Sequence, residues 1–203
     1  RQCSFGLNKP DLGSFGLLEE DGQQWLAYGL EPLMLVADVA IKGTHNTANA
    51  LAALALGQAA GLDMTAMLET LKTYKGLPHR CEHIATINNV MYIDDSKGTN
   101  VGATIAALNG FGDRDRAKLI LIAGGQGKGQ DFAKLQKPIK EFVKLVTLFG
   151  EDASQIAAAL DGSAEVQQFD SLENAVSSAA ASAESGDIVL FSPACASFDM
   201  FSG

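Results

Sequence analysis

Residues 119–129 read Leu-Ile-Leu-Ile-Ala-Gly-Gly-Gln-Gly-Lys-Gly, an apolar run that passes directly into a glycine-rich loop. An apolar run of this length, bounded by glycine, is typical of a strand buried on both faces of a parallel sheet. Ligands of such sheets bind in the crevice beyond the carboxyl ends of the strands. The loop at residues 124–129 is therefore a predicted place for chemistry.

Strands and helices alternate on both sides of this stretch. The strands are predicted at residues 146–149, 166–169 and 188–191, and in a hairpin of residues 84–87 and 90–93 around Asn88 and Asn89. The helices are predicted at residues 101–109, 133–143, 152–160 and 171–184, the last with Asp170 and Glu173 as a capping pair. This alternation indicates βαβ units, so the predicted fold class is α/β with a mostly parallel sheet.

The first part of the chain has a different pattern. Short strands are predicted within residues 14–28, with a turn at Asp21 and Gly22, and a helix is predicted from Thr44 to Gly61. The predicted buried positions of this helix, and of a second helix capped by Asp63, are Ala48, Leu51, Ala52, Ala55 and Ala59, then Met67, Leu68, Leu71 and Tyr74. Pro78 disfavours a helical Leu77, so we predict two domains, residues 1–77 and 78–203.

Composition excludes several classes of protein. With 47% hydrophobic and 19% charged residues, the chain is typical of a globular protein. The net charge is −9 without a basic cluster, and no apolar run approaches the ~18 residues of a membrane helix, so neither nucleic-acid binding nor membrane insertion is expected. Cys3, Cys81 and Cys195 lack metal or disulfide spacing, which favours reduced thiols in a cytoplasmic protein. The histidines likewise lack metal spacing.

The glycine-rich loop offers Lys128 as a point charge for a phosphate or a carboxylate. Its glycines would let the main chain approach a ligand closely. The loop is not a P-loop, because Ile122 and Gly129 occupy two required positions, and Gln130 breaks the GxGxxG pattern. Taken alone, it fits a simple βα turn equally well.

Two further polar clusters follow predicted strands. In residues 94–100, Asp95 could accept hydrogen bonds from ribose hydroxyls, while Lys97 and Thr99 could hold an anion. Helix capping by Thr99 or Asn100 is the simpler interpretation, but it explains neither Asp95 nor Lys97. Residues 192–199 combine small residues and a hydroxyl in a way that suits a carboxylate site, and a nucleophilic Cys195 is disfavoured because no histidine lies near it in the sequence.

Three residues outside these clusters also have suitable chemistry. Asn46 and Asn49 lie three apart on one helix face, where their amides could contact a purine edge. Capping is an alternative for Asn46 only. Arg80 follows the predicted domain junction and could bind a nucleotide phosphate, although a lone arginine more often forms a surface ion pair.

Taken together and in order, five segments resemble the Mur ligase family. They are Gly43-Thr44-His45-Asn46-Thr47-Ala48-Asn49-Ala50, residues 76–80, Asp95-Ser96-Lys97-Gly98-Thr99-Asn100, residues 124–132 and residues 192–199. Each segment is weak alone, but the ordered set is highly specific.

The resemblance implies a three-domain enzyme. Residues 1–77 would be the C-terminal part of its central ATP-binding α/β domain, and residues 78–203 a Rossmann-like ligase domain without its last helix. With ATP and Mg²⁺, the carboxylate of UDP-N-acetylmuramoyl-L-alanine would become an acyl phosphate, which the amine of D-glutamate would attack during peptidoglycan synthesis.

The resemblance also implies residue roles. The nucleotide contacts would be Asn46 and Asn49 for adenine, Arg80 for phosphate and Asp95 for ribose. The groups around D-glutamate or the product would be Thr99, Lys128, Ser197 and Phe198, with Lys97 close by. The P-loop, the magnesium ligands and a carbamylated lysine of the family would precede Arg1, so this fragment is expected not to turn over ATP alone.

Two other functions are alternatives to this one. A folylpolyglutamate synthetase-like ligase would share the fold and the acyl-phosphate chemistry, but should lack the Ser-Pro-Ala-Cys-Ala-Ser segment at residues 192–197. A non-catalytic Rossmann-type domain that binds a nucleotide or an amino acid fits the chain taken by itself. The ligase assignment requires the polar clusters at residues 95–99, 128–131 and 192–198 to converge at one rim of a single sheet, and we expect them to face Asn46, Asn49 and Arg80 across a cleft.

Overall fold

The computed structural model describes residues 3–112 and 119–198, and the chain divides into two compact units, Arg1–Gly76 and Leu77–Gly203. The division falls one residue before the predicted boundary. What each unit contributes to a larger enzyme stays a prediction. Within the described ranges, no helix combines the length and the apolar character needed to cross a membrane.

The first unit contains a three-stranded antiparallel sheet and two helices. Its strands are β1 (Phe15–Glu20), β2 (Gln23–Tyr28) and β3 (Glu31–Leu35), and its helices are α1 (Thr44–Ala59) and α2 (Met64–Thr73). The predicted hairpin turn is confirmed, since Asp21 and Gly22 both adopt positive φ. Asp63 caps α2 as predicted, because its side chain accepts a hydrogen bond of 2.9 Å from the Ala66 amide.

The buried face of α1 differs from the prediction. Leu51 and Ala55 are buried as expected, but Leu54 is buried as well and Ala59 is exposed. Alanine gains little from burial, so the two leucines decide how the helix is oriented. Tyr74 is 40% exposed because α2 ends at Thr73, one residue earlier.

In its described residues, 77–112 and 119–198, the second unit is an α/β structure with six strands and four α-helices. In chain order they are β4 (Glu82–Ile87), β5 (Val90–Asp94), α3 (Val101–Phe111), β6 (Leu119–Gly124), α4 (Gln136–Phe142), β7 (Val143–Phe149), α5 (Ala153–Ala159), β8 (Glu165–Gln168), α6 (Leu172–Ser182) and β9 (Ile188–Phe191). The strand order is β4-β5-β9-β6-β7-β8, and every neighbouring pair is parallel except the β4–β5 hairpin. The predicted mostly parallel α/β fold is confirmed.

Strand β6 runs through the centre of this unit, and all six of its residues are buried. Leu119 and Leu121 pack into a cluster with residues of α3, α4 and α5, while Ile120 and Ile122 pack into another with α6. This alternation follows from the two-residue period of a strand. Each leucine or isoleucine contributes about 1.5–3 kcal/mol by its burial, which explains why the run at residues 119–123 contains no polar residue.

Two helix boundaries in this unit were predicted wrongly. A 3-10 turn, Phe132–Leu135, precedes α4, and Val143 begins β7 instead of ending the helix. Helix α6 is capped by Ser171, whose hydroxyl accepts a hydrogen bond of 3.2 Å from the Asn174 amide. The predicted capping pair of Asp170 and Glu173 is therefore wrong by one residue. With Ser171 as the cap, the position three residues later is Asn174 and not an acidic residue.

Candidate functional site

The three polar clusters lie side by side at one rim of the six-stranded sheet. They follow β5, β9 and β6, which are neighbours, and both Asp94 and Ile122 are in register with Phe191 of β9. Because these strands are parallel, their carboxyl ends open on the same edge. The predicted convergence is confirmed for residues 94–100, 124–131 and 192–198, while Asp199 lies outside the described residues.

Main-chain hydrogen bonds hold the segment after β9 between the other two loops. They run from the amides of Ala194 to Gly98 O (2.9 Å), Gly124 to Pro193 O (3.0 Å), Gln126 to Ala196 O (2.8 Å) and Ala196 to Gln126 O (3.0 Å). The rim is thus a connected surface made from three separate parts of the sequence.

A cation and an aromatic ring meet on this rim. The Nζ atom of Lys128 lies 4.5 Å from the centroid of the Phe198 ring, a cation–π distance, and the ring is 69% exposed. Ser197, the neighbour of Phe198, is also exposed. We call Lys128, Ser197 and Phe198 the rim patch. Its ammonium group and its hydroxyl are suited to a carboxylate, and its exposed ring could pack against an aliphatic chain.

Three glycines of the loop, Gly124, Gly125 and Gly127, pack against other parts of the protein. A Cβ atom on Gly124 would collide with the carbonyl oxygen of Phe149, and one on Gly125 with that of Ala196. The Gly127 amide donates to the Asp152 carboxylate at 2.6 Å. Lys128 and Gly129 are exposed, and the predicted approach of this main chain to a ligand stays a prediction.

Asp95 has a structural role that the sequence did not reveal. Its carboxylate is buried, and it accepts hydrogen bonds from the Ser192 hydroxyl (2.7 Å) and the Cys81 amide (3.2 Å). Ser192 also contacts the Thr104 hydroxyl at 3.0 Å. Asp95 therefore ties the ends of β5 and β9 and the segment that carries Arg80. The predicted contact of Asp95 with ribose stays a prediction.

The burial of Cys195 agrees with the interpretation that it is not a nucleophile. Cys195 is 1% exposed. Burial, together with the negative charge of Asp95 and a hydrogen bond to it, raises the pKa of the Cys81 thiol to about 12. A thiol with so high a pKa stays protonated and unreactive at neutral pH.

Beside the rim, His79, Glu82 and Asp94 bring potential metal-ligand atoms within 4.8 Å of one another. The sequence spacing of the histidines did not suggest such a group. His79 Nδ1 lies 2.8 Å from Asp94 Oδ2, and the His79 amide donates to Glu82 at 2.8 Å. Burial acts to raise the pKa of Asp94, but hydrogen bonds from His79 and Ser96 outweigh it and lower the pKa. These mutual hydrogen bonds explain the arrangement without an ion.

The remaining predicted site residues are accessible. Lys97 and Thr99 are exposed at the rim, and Asn100 proves to be the cap of α3, accepting from the Ala103 amide at 2.9 Å. Arg80 is exposed between two residues of positive φ, His79 and Cys81.

In the first unit, Asn46 and Asn49 share one side of α1, as predicted. The Asn49 amide nitrogen lies 3.4 Å from Asn46 Oδ1. Asn46 also donates to the Lys42 carbonyl oxygen at 2.8 Å. Both side chains are at least partly accessible, since Asn46 is half-buried and Asn49 exposed. Their contact with a purine stays a prediction.

Sequence reasoning missed Gln130, which the sequence presented only as the residue that breaks a glycine motif. Its side chain bonds to Gly127 and Ala194 in two of the rim segments and to Val101, the residue directly after the third segment. No local pattern indicates this role, because two of the three partners, Val101 and Ala194, are distant in the chain.

The second unit is a Rossmann-like α/β domain with polar groups gathered at the carboxyl ends of its strands, the edge where ligands of such sheets bind. Residues 79–195, more than half of the chain, match the family described as "Mur ligase, glutamate ligase domain". The chain belongs to the Mur ligase family.

Curated relatives of about half identity are D-glutamate ligases. The UDP-N-acetylmuramoylalanine–D-glutamate ligase of Acinetobacter baylyi is 53% identical over 98% of this chain and 46% of its own length. The enzymes of the same name from Legionella pneumophila and Pseudomonas aeruginosa are each 52% identical over 98% of this chain and 44% of theirs. The chain therefore spans less than half the length of these relatives.

Solved structures with low sequence identity share the fold. The UDP-N-acetylmuramate-alanine ligase of Thermotoga maritima has a TM-score of 0.66 at 19% identity, covering 94% of this chain and 44% of that one. A Mycobacterium tuberculosis folylpolyglutamate synthase has a TM-score of 0.65 at 18% identity, covering 89% of this chain and 46% of that one. At these identities the likeness supports the fold and does not choose between the two activities.

Proposed function

We propose that this chain forms the D-glutamate-binding part, and a share of the nucleotide site, of a cytoplasmic ligase that joins D-glutamate to UDP-N-acetylmuramoyl-L-alanine in peptidoglycan synthesis. The observation that carries the proposal is the rim patch, where Lys128, Ser197 and Phe198 come together from two separate loops. The names of the relatives that are about half identical over nearly the whole chain support D-glutamate as the amino acid.

The rim patch offers what a dicarboxylic amino acid needs. The Lys128 ammonium would pair with a carboxylate, and the Ser197 hydroxyl would donate a hydrogen bond to it. Thr99 and Lys97, exposed on the neighbouring loop, would contact the second carboxylate or the product. The substrate amine would then be left free to attack an activated carbonyl carbon.

Three accessible residues are the proposed contacts of the nucleotide. Asn46, Asn49 and Arg80 are accessible and fit an adenine edge and a phosphate. Asp95 fits ribose less well, because its oxygens already bind Ser192 and Cys81, so we propose that it mainly anchors the segment of Arg80. ATP, with Mg²⁺, would supply the phosphoryl group that activates the acceptor carboxylate as an acyl phosphate.

Titration of the ¹⁵N-labelled chain with D-glutamate, followed by NMR, tests the proposal. We expect shifts of the amides of Lys97, Thr99, Lys128 and Ser197, and weaker shifts with L-glutamate. Lys128→Ala should weaken binding by about ten- to a hundredfold, the value of a charge-assisted hydrogen bond. Lys140→Ala removes an exposed lysine of α4 and is the matched control. Equal affinity of the wild type and Lys128→Ala would contradict the proposal.

A folylpolyglutamate synthase-like activity is less well supported. The structural likeness to such enzymes lies at 18% identity, whereas the D-glutamate ligases reach 53%. The same titration tests this alternative, since only the D-glutamate ligase activity predicts that the D enantiomer is the better ligand.

A further inference from the structure

Gln130 lies where the three rim segments meet, and its side-chain amide bonds to two of them and to the residue directly after the third. Its Oε1 accepts a hydrogen bond of 2.8 Å from the Val101 amide, at the start of α3. Its Nε2 donates to the carbonyl oxygens of Gly127, at 3.0 Å, and Ala194, at 3.1 Å. These partners belong to the segments after β5, β6 and β9.

The partners leave no ambiguity about the orientation of this amide. A main-chain N–H can bond only to the side-chain oxygen, and two main-chain carbonyls can bond only to the NH₂ group. The reversed orientation would set a donor against a donor and an acceptor against two acceptors. Both NH₂ protons are thus used, so Gln130 is committed to protein contacts.

Each side-chain bond of Gln130 reaches a residue that lies within three positions of a group that we place at the ligand. Its own amide donates to Gly127 O at 3.2 Å, which closes the turn that presents Lys128. Ala194 lies three residues before Ser197 and has a positive φ of 58°, a conformation that an alanine adopts only when its surroundings hold it. Val101 follows Thr99 by two residues, and its amide, the first of α3, has no acceptor within the helix.

We propose that Gln130 is a positioning residue, whose amide fixes the turn of Lys128, the segment of Ser197 and Phe198, and the start of α3 after Thr99 in one arrangement. The proposal rests on the function assigned to the rim patch, although Gln130 itself touches no substrate. A site binds its ligand more weakly when its contacting groups are not already held in place, because binding must then order those groups.

Three variants separate this role from a general effect on stability. Gln130→Ala removes all three bonds. Gln130→Glu keeps an acceptor for Val101 but places oxygen against the carbonyls of Gly127 and Ala194. Gln136→Ala is the matched control, because Gln136 also donates to a carbonyl, that of Ala159 at 2.6 Å, away from the rim.

Amide hydrogen exchange, measured by NMR, shows directly how well the main chain around Gln130 is held in place. In Gln130→Ala we expect the Val101 amide to exchange about tenfold faster or more, together with those of Ala194 and Ala196. In Gln130→Glu, Val101 should stay protected while Ala194 and Ala196 exchange faster. Unchanged exchange in Gln130→Ala would overturn the inference, and so would an equal acceleration of core amides such as Val146, which indicates general destabilisation.

Ligand affinity provides the second measurement. Both Gln130 variants should bind D-glutamate about tenfold more weakly than the wild type, whereas Gln136→Ala should bind equally well. Wild-type affinity in Gln130→Ala, despite faster exchange at the rim, would overturn the positioning role. Failure of the wild type to bind D-glutamate would count against the proposed function instead, and hydrogen exchange would still decide whether Gln130 holds the segments.

Discussion

Asp95 shows how the surroundings of a single residue change its interpretation. Its place at a strand end suggested a contact with ribose, but the folded chain surrounds its carboxylate with Ser192 and the Cys81 amide. A buried carboxylate must have hydrogen-bond donors, because leaving it unpaired would cost several kcal/mol. The same residue therefore holds the segment of Arg80, whether or not it also meets a nucleotide.

Cys81 gives a prediction for alkylation. Its thiol pKa is raised from 9.0 to about 12, chiefly by burial, and only the thiolate reacts with iodoacetamide. Below pH 9 we expect Cys81 to be alkylated roughly a thousandfold more slowly in the folded chain than in urea, as followed by peptide mass spectrometry. Equal rates in the two states would show that the thiol is not protected.

The same shift makes stability depend on pH with a definite sign. Folding favours the protonated thiol, so this contribution is complete below pH 9.0 and is lost as the pH rises towards about 12. In Cys81→Ala, the free energy of unfolding should therefore fall less between pH 9.0 and about 12 than it does in the wild type.

At the scale of elements, the turn from β6 into the glycine loop is the most tightly constrained connection of the rim. Gly124 has a φ of 138°, and a side chain there would collide with Phe149 of the neighbouring strand β7. Gly129, at the other end of the loop, has a φ of 72° and open space around its Cβ position. Two glycines of one loop are thus required for different reasons.

Substitution by alanine separates these reasons. Gly129→Ala should cost about 1–2 kcal/mol, the strain of a left-handed residue. Gly124→Ala adds a collision with main-chain atoms and should cost about 2–5 kcal/mol in total. Urea unfolding followed by circular dichroism measures both, and a Gly124→Ala chain as stable as Gly129→Ala would contradict the packing role of Gly124.

At the scale of the whole molecule, the order of the strands creates the rim. Strand β9, which is the last strand within the residues that the structure describes, enters the sheet between β5 and β6. The segment that carries Ser197 is therefore inserted between loops that come much earlier in the sequence. Without that insertion, Lys128 and Phe198 would not meet.

The chain as a whole is expected to bind ligands without turning over ATP. Its 203 residues contain no Gly-Lys-Ser or Gly-Lys-Thr sequence, which a P-loop needs to hold the phosphates and the metal. A coupled assay with ATP, D-glutamate and UDP-N-acetylmuramoyl-L-alanine should show no release of ADP above background. The Acinetobacter baylyi relative serves as the positive control, and ADP release by the chain alone would contradict the expectation.

Much of the fold could be predicted, and less of the site. The βαβ pattern, the hairpin at Asn88 and the cap at Asp63 were all visible, because each depends on residues close together in the chain. The capping pair at Asp170 was wrong by one position, since serine and aspartate cap equally well and only the path of the chain chooses between them. The roles of Gln130 and Asp95 in holding the rim could not be predicted.

Helices, strands, turns and membership of the Mur ligase family followed from local order in the sequence, because periodicity, turn residues and motifs are read over a few neighbouring positions. The rim followed only from tertiary structure. The hydrogen bonds that build it join residues 29, 64 and 97 positions apart, from Gln130 to Val101 and Ala194 and from Ser192 to Asp95. Such bonds depend on which strands become neighbours, and a local sequence pattern does not predict the order of the strands.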